Sequence, residues 1–485
     1  MEEKVFGLPA GLLANSMIVI LVAISIILLF GGLRRFILVK MGTRNIPRRK
    51  GQSTLIVMGL MLSSIIVAVS LGIGDTVRYS VRSVVFDSAG NIDEVISGPG
   101  KQLFGVEYFS YSEFKEVERL ASTNSNIDGI MPYIEINLPV ENVKSEIAES
   151  RVQVRGYSSN YSDSFDQIKN INDELVSINT LSTDQVYINT ALRDTLNLNK
   201  GDVVGVYINL EKKEFEVMDV LESGSIAGAN ITPTISFEIS NLQKLLDKEN
   251  MITNIAISNS GNQDESLELS DDVTQFLRLN LTNKQVANKF FEILSSNEIP
   301  TLIKEEAKSL EQTDSETFEE LTRIASDLEG DNFNEEFITS VGDYQLQLII
   351  LGALDKAGLQ AEAAQLLMMF GDLTTLRVDD SKNNGVKLAE TVASGVTTIF
   401  SIFGSFSIMV GMLLIFLVFV LLAAARSTEL GMARAVGLKR RDLIQLFTYE
   451  GTVYSFLAAI AGTIIGIGLS LSLIHISEPT RRSDI

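Results

Sequence analysis

The stretch RSTELGMARAVGLKRRD, Arg426–Asp442, follows 35 residues, Thr391–Ala425, without a charged side chain, and an apolar run resumes at Gly451. A helix needs roughly 20 apolar residues to cross about 30 Å of hydrocarbon, so the uncharged run is long enough to span a membrane. Arg426, Arg434, Lys439, Arg440 and Arg441 then mark a return to the cytoplasm. At 1.5 Å per residue, 35 helical residues would measure on the order of 52 Å, so the outer part is expected to project as a stalk into a soluble domain. Leu430, Ala433, Val436 and Gly437 recur at helical spacing, which predicts a short amphipathic helix inside the basic segment.

The same pattern recurs near the N-terminus. No residue from Val5 to Leu33 is charged, and Leu12–Leu33 is long enough to be a first span; Ser53–Gly74, bounded by Lys50 and Asp75, is a second. Between them stand Arg34, Arg35, Lys40, Arg44, Arg48, Arg49 and Lys50 with no acidic residue, which puts that loop in the cytoplasm and both the N-terminus and the chain after Asp75 outside. A signal peptide would carry its basic cluster before the apolar run, and here it follows. The fourth span starts near Gly451 and contains Gly462 and Gly466, a spacing that permits close helix packing, although ordinary glycine use in a membrane helix accounts for it equally well. Leu346–Leu354 is bracketed by Asp343 and Asp355 and is too short to cross, so it is expected in a buried helix. None of the four spans holds a charged residue, so the usual marker of an intramembrane ion path is missing.

Charge divides the chain in the same way. Asp75–Ala425 carries 25 Lys or Arg against 54 Asp or Glu, a balance of −29 within a chain of net charge −21. Such an acidic section excludes nucleic acid as its partner, because phosphate binding needs clustered cations. There is no cysteine, and the single histidine is His475, so thiolate metal sites, His-ligated zinc and Ser-His-Asp catalysis all lack their parts.

The acidic section is expected to be α+β. Alternating runs such as RVQVRG, Arg151–Gly156, and KEFEVMDV, Lys213–Val220, predict half-buried strands, and helices are predicted at Tyr111–Leu120, Ile188–Leu196 and Asn241–Asp247. From about Asp264 to Phe370 the pattern turns helical, with capping boxes expected at Thr282/Gln285 and Thr313/Glu316. GPGK, Gly98–Lys101, lacks the remaining residues of a phosphate loop, since Val95 and Gln102 occupy their places, and reads as a turn. DSKNNGVKLAE, Asp380–Glu390, is a near miss for a calcium loop, with Lys382 where a ligand belongs, and is expected to be a solvated turn.

The order of parts and the segment ARSTELGMARAVGLKRRDLIQLFTYEG resemble the FtsX-like permease family of ABC transporters, the group that includes MacB and the lipoprotein-releasing permeases. Glu429, Leu430, Gly431, Arg434, Ala435, Val436, Gly437, Arg440, Arg441, Glu450 and Gly451 match the family's loop between core spans. RNIPRRKGQSTLIVMGLMLSSIIVAVSLGIGDTVRYSVRS is similar to the segment around the first core helix, where an amphipathic stretch precedes it. The resemblance implies an α-helical membrane protein with a large extracytoplasmic α+β domain, MacB-like in its core, carrying a helical insertion. The tail LSLIHISEPTR, Leu471–Arg481, resembles the translation of a sequencing adapter, so the natural frame is expected to end near Ser470, with the fourth span cut short.

The expected organisation is an N-terminal segment, 1–11; spans at 12–33, 53–74, 391–425 with its stalk, and 451–470; a basic cytoplasmic loop, 34–52; the α+β domain, 75–263; a helical subdomain, 264–375; a linker, 376–390; a cytoplasmic coupling loop, 426–450; and the adapter-like tail, 471–485. The family implies a multi-pass permease subunit of the cytoplasmic membrane, not itself an enzyme, working with a separate ATPase that binds ATP and magnesium. Its expected partners are that ATPase, a second copy or a second permease half, and membrane lipids. Export or extraction of a lipid, lipoprotein, peptide or hydrophobic drug is the first functional reading; a non-transporting signal transducer acting on an envelope partner such as a cell-wall hydrolase is the alternative. A membrane sensor without an ATPase is a third.

Overall fold

The computed structural model describes residues 4–477 apart from 6–7, 35, 48–49, 99–105, 162–163, 166, 223, 229–231, 297, 312–313 and 426. The chain divides into two units, one made of residues 1–83 with 387–485 and the other of residues 84–386. Residues 99–101 of the expected turn at Gly98–Lys101, residue 313 of the expected second capping box and the last residues of the tail lie outside the described residues.

The first unit starts with two paired short strands, β1 (Lys4–Val5) and β2 (Leu8–Pro9), and three helices, α1 (Ala10–Arg34), α2 (Phe36–Asn45) and α3 (Lys50–Ala89). The basic loop expected at 34–52 is therefore largely helical. The helix that holds the expected second span, α3, does not end at Gly74, because the residues that follow, including Asp75, Arg78 and Arg82, are good helix formers or tolerated ones and no glycine or proline interrupts them before Gly90, at φ +55°.

The second unit contains β3 (Glu94–Ser97), β4 (Phe109–Ser110), α4 (Tyr111–Ala121), β5 (Ile127–Asn142), β6 (Ala148–Tyr157), β7 (Gln185–Asn189), α5 (Thr190–Leu196), β8 (Val203–Ile208), β9 (Glu211–Leu221), β10 (Thr234–Glu238), α6 (Ile239–Leu245), β11 (Met251–Ile252) and β12 (Asn254–Asn259). The helix expected from Ile188 begins at Thr190, since Ile188 pairs with Ile235 in the sheet and the Asn189 side chain caps the helix by accepting from the Leu192 N–H. A further strand, β13 (Arg377–Asp379), completes a nine-stranded sheet of order β13-β3-β12-β5-β6-β10-β7-β9-β8. The end of β5 also pairs with β8, Val140 opposite Val206, so the six strands from β5 to β8 close on themselves. Their inward residues, among them Val140, Val154, Ile188, Val206, Phe215 and Val217, are buried in one apolar core. Closure leaves those six strands no free edge to template aggregation.

The helical part is α7 (Gln263–Leu281), α8 (Lys284–Leu294), α9 (Ile299–Leu310), α10 (Ser315–Glu329), α11 (Glu335–Val341), α12 (Tyr344–Lys356) and α13 (Gln360–Leu373). Its boundary moves from the expected 264: Val273 and Leu277 of α7 fill the core of the sheet, whereas α8 to α13 share a separate core that includes Phe290, Ile303, Leu321, Phe337, Ile350 and Phe370. Chain entry and exit lie side by side, for Thr282 bridges Thr374 and the Asn283 N–H donates to the Leu373 carbonyl at 2.7 Å. Leu346–Leu354 sits inside α12, with Leu346, Ile350 and Leu354 buried in the helical core. The caps differ from the expected boxes. Asn283 rather than Thr282 accepts from Gln285 and Val286, and Asp314 accepts from Thr317, because short Asn and Asp side chains reach the N2 and N3 amides directly.

Three helices close the chain: α14 (Ser381–Ala425), α15 (Ser427–Ala435) and α16 (Arg440–Ser477). The stretch expected as a linker, 376–390, is instead β13 and the first turns of α14; its apolar Leu376, Val378 and Val386 are buried, so it is held as part of the domain. Among the described residues one helix, Arg440–Leu469, is long and apolar enough to cross a membrane, while Ile18–Ile27 and Ser53–Ile66 are shorter apolar stretches.

Candidate functional site

The segment expected as a coupling loop, 426–450, is a helix, a turn and the opening of another helix. Glu429, Leu430, Gly431, Arg434 and Ala435 lie on α15; Val436 and Gly437 lie in the turn; Arg440 and Arg441 open α16; Glu450 and Gly451 lie within it. The helix stops where it does because Gly437 takes φ +107°, a conformation closed to most L residues. Gly437 N–H donates to the Arg434 carbonyl at 3.0 Å and Val436 N–H to the Met432 carbonyl at 3.1 Å, which satisfies the last carbonyls of the turn. On the other side the Asp442 carboxylate accepts from the Lys439 N–H at 3.2 Å, half of a capping box for α16. The proposed apolar face is thereby shortened, since Val436 and Gly437 fall past the end of α15 and Val436 is 86% exposed.

Nothing within 4 Å would meet a Cβ on Gly437, so substitution there acts through the backbone rather than through a clash. Gly437→Ala and Gly437→Leu are expected to cost the turn the same amount, roughly 1–3 kcal/mol. Equal gains in protease cleavage at 436–439 for both variants would bear this out, and a much larger effect for Leu alone would refute it.

Behind the turn, α16 is anchored by buried polar groups. Glu450 is fully buried, and the Tyr454 hydroxyl donates to its Oε1 at 3.2 Å. Tyr454 Oη lies 3.0 Å from the Ser53 hydroxyl of α3, which donates to the Ile46 carbonyl at 3.0 Å. Ile56, Leu60, Tyr454 and Ala458 form the small apolar core beside this chain of bonds. Farther along, a Cβ on Gly462 would stand 2.6 Å from Ser64 Cβ and 2.8 Å from the Met61 carbonyl oxygen, and one on Gly466 would stand 2.6 Å from Ala68 Cβ. Both glycines thus sit where α16 and α3 touch at backbone range. A mainly apolar groove of about 860 Å³ runs between α1 and α16, lined by Leu21, Ile24, Phe447 and Phe456, with Arg440 among its walls.

A second constellation, in the α+β unit, was not singled out from the sequence. Lys382, in the first turn of α14, is fully buried and its Nζ donates to Asp93 Oδ1 at 2.9 Å and to Ser266 Oγ at 3.2 Å. Asp93 also accepts from Ser266 Oγ at 2.9 Å and, through Oδ2, from the Asn259 N–H at 2.8 Å. The Lys382 N–H donates to the Asp93 carbonyl, and its ammonium lies 5.5 Å from the centre of the Phe86 ring. Next to this pair, Glu94 Oε1 lies 2.7 Å from Ser270 Oγ and accepts from Asn259 Nδ2 at 2.9 Å. The expected solvated turn at Asp380–Glu390 is therefore a buried helix start. The one signal available was Lys382 itself, a cation standing where a calcium loop needs an oxygen.

Together these features define a class: helices that include a membrane-length apolar one, bearing an α+β domain between the third and the last three. The description "MacB-like periplasmic core domain" matches residues 53–270, and "FtsX-like permease C-terminal" matches residues 401–481. The chain belongs to the FtsX/MacB-type permease family. Among curated proteins it is 30% identical over 138 residues to the macrolide export ATP-binding/permease protein MacB of Bradyrhizobium diazoefficiens, a match that covers 27% of this chain and 20% of that protein. Among solved structures it is similar to the periplasmic region of MacB from Actinobacillus actinomycetemcomitans, with 14% identity, 39% of this chain and 86% of that chain covered, and a TM-score of 0.27. It is also similar to the extracellular domain of the noncanonic ABC-type transporter YknZ from Gram-positive bacteria, with 13% identity, 37% and 92% covered, and a TM-score of 0.25. The helical module α8 to α13 falls outside both matched segments.

Proposed function

We propose that the chain is the membrane permease subunit of an ABC system whose ATP is hydrolysed by a separate cytoplasmic subunit. The observation that carries this reading is the α15–turn–α16 unit: exposed Arg434, Lys439, Arg440 and Arg441 cluster around a glycine-set turn, with Glu450 and Tyr454 fixing the helix behind it. A short helix ended by a hydrogen-bonded glycine turn offers a defined surface to an ATPase. Four spans, at 12–33, 53–74, 391–425 and 451–470, with the basic segments inside, complete the topology. In the mechanism, closure of the ATPase subunits pushes on α15, and α14 carries the displacement to the α+β domain, which acts on a lipid, lipoprotein, peptide or hydrophobic drug. A second permease copy or half pairs with this one.

Charge reversal at Arg434 tests the contact. Arg434→Glu is expected to weaken ATPase binding by roughly tenfold, about 1.4 kcal/mol, in a pull-down from detergent with the partner subunit titrated. Unchanged binding would make the segment a topological stop and nothing more. Cargo is tested separately, by reconstituting the permease with its ATPase in vesicles and following lipophilic compounds. ATP turnover that moves no cargo but rises with an added envelope protein would replace transport with signal transduction.

A further inference from the structure

Ser270 Oγ lies 2.7 Å from Glu94 Oε1 and 2.8 Å from Asp380 Oδ1, with all three residues buried. Two oxygens at such separations need a proton between them, and a serine hydroxyl supplies one proton for two contacts. One of the two carboxyl groups must therefore bring the other. Asp380 precedes the first residue of α14, where the helix dipole favours a carboxylate, and its Oδ2 accepts from Asn383 Nδ2 at 2.7 Å. Glu94 has no exposed surface, and its Oε2 has no hydrogen-bond partner, an arrangement that penalises the charged form.

We propose that Glu94 is a proton-binding site whose proton completes the chain Glu94–Ser270–Asp380 and thereby locks the root of α14 to the sheet. The groups around it fit that assignment. Asp93 immediately precedes Glu94, the first residue of β3; the β13–α14 connection brings Asp380 and Lys382; α7 brings Ser270 and, by way of Asn383, Asp271; β12 brings the uncharged Asn259. Lys382 is committed to Asp93. An ionised Glu94 would place three carboxylates against one ammonium in a buried space, with like charges on both sides of Ser270. Burial raises the Glu94 carboxyl to about 8, with the hydrogen bonds from Ser270 and Asn259 opposing and the charges of Asp380 and Asp93 adding to it. A carboxyl raised on folding stabilises the fold fully below its unfolded value, 4.5, and that contribution is lost as pH rises through about 8. The regulatory meaning rests on the proposed role of α14 in transmission: the proton sets how firmly the domain grips that helix.

Two measurements on the full chain in lipid nanodiscs test it, and neither needs an ATPase or cargo, so failure of the permease reading leaves them unaffected. Infrared spectroscopy near neutral pH should show a protonated-carboxyl band that disappears in wild type as pH passes about 8 and is missing in Glu94→Gln. Hydrogen exchange, corrected for the intrinsic rate, should show protection at residues 381–386 falling over the same interval in wild type and staying level in Glu94→Gln. Asp380→Asn lets Ser270 donate to an ionised Glu94, so the midpoint of the band should move down by about one unit or more. A band that survives Glu94→Gln, a midpoint unmoved by Asp380→Asn, or protection with the same pH dependence in both proteins would overturn the proposal.

Discussion

Lys382→Met lowers the stability of the α+β domain by roughly 3–5 kcal/mol, because it leaves the Asp93 carboxylate buried without its counter-ion. The methionine fills nearly the same volume, so the loss is electrostatic rather than steric. Asp93 keeps the Ser266 hydroxyl and the Asn259 N–H as donors, but its environment has 1% side-chain exposure and water cannot replace the ammonium. Asp93→Asn, which strands the lysine instead, is expected to cost a similar amount. The double variant should cost less than the sum by about 1–3 kcal/mol, since it removes both unpaired charges at once. Pulse proteolysis of the full chain in detergent measures all three. Additive losses would mean that the pair contributes no mutual stabilisation.

What was legible in the sequence follows from the kind of information each feature leaves there. Apolar length and basic flanks are local, so helices at Leu12–Leu33, Ser53–Gly74, Thr391–Ala425 and Gly451–Ser470 could be located, each inside a longer helix. Alternation is local too, and RVQVRG and KEFEVMDV lie in β6 and β9. The closure of β5 onto β8 could not be read, because strand partners 62 to 66 residues apart leave no mark in either segment. The same holds for the Asp93–Lys382 pair, whose members are separated by 289 positions and become partners only when β13 returns to β3. Within Arg426–Asp442 the pattern Leu430, Ala433, Val436, Gly437 reads as one face, but glycine at positive φ ends the helix before that face is complete. Spacing gives periodicity; it does not show where a helix stops.

Gly462→Val disrupts the packing of α16 on α3, whereas Gly468→Val on the same helix is neutral. The two positions have the same residue type and lie on the same apolar helix, so propensity and hydropathy change equally in both variants. They differ in what a Cβ would meet. At Gly462 it would approach Ser64 Cβ to 2.6 Å and the Met61 carbonyl to 2.8 Å, and at Gly468 it would meet nothing within 4 Å. The obstruction at Gly462 includes backbone, which cannot rotate away as the end of a long side chain would. Overpacking of this kind typically costs about 1–3 kcal/mol, which would lower the ratio of packed to unpacked helix pair by roughly 5- to 150-fold. In the proposed topology both helices lie in lipid, where no hydrophobic driving force acts between them and the pair depends on van der Waals contact at close range. Thermal inactivation in detergent followed by size-exclusion chromatography separates the variants: a lower midpoint for Gly462→Val, and for Gly466→Val beside Ala68, against an unchanged one for Gly468→Val. If all three behaved alike, the Gly462–Gly466 spacing would be ordinary glycine usage and the approach of α16 to α3 would have to be explained by the Ser53–Tyr454 bond and its small apolar core alone.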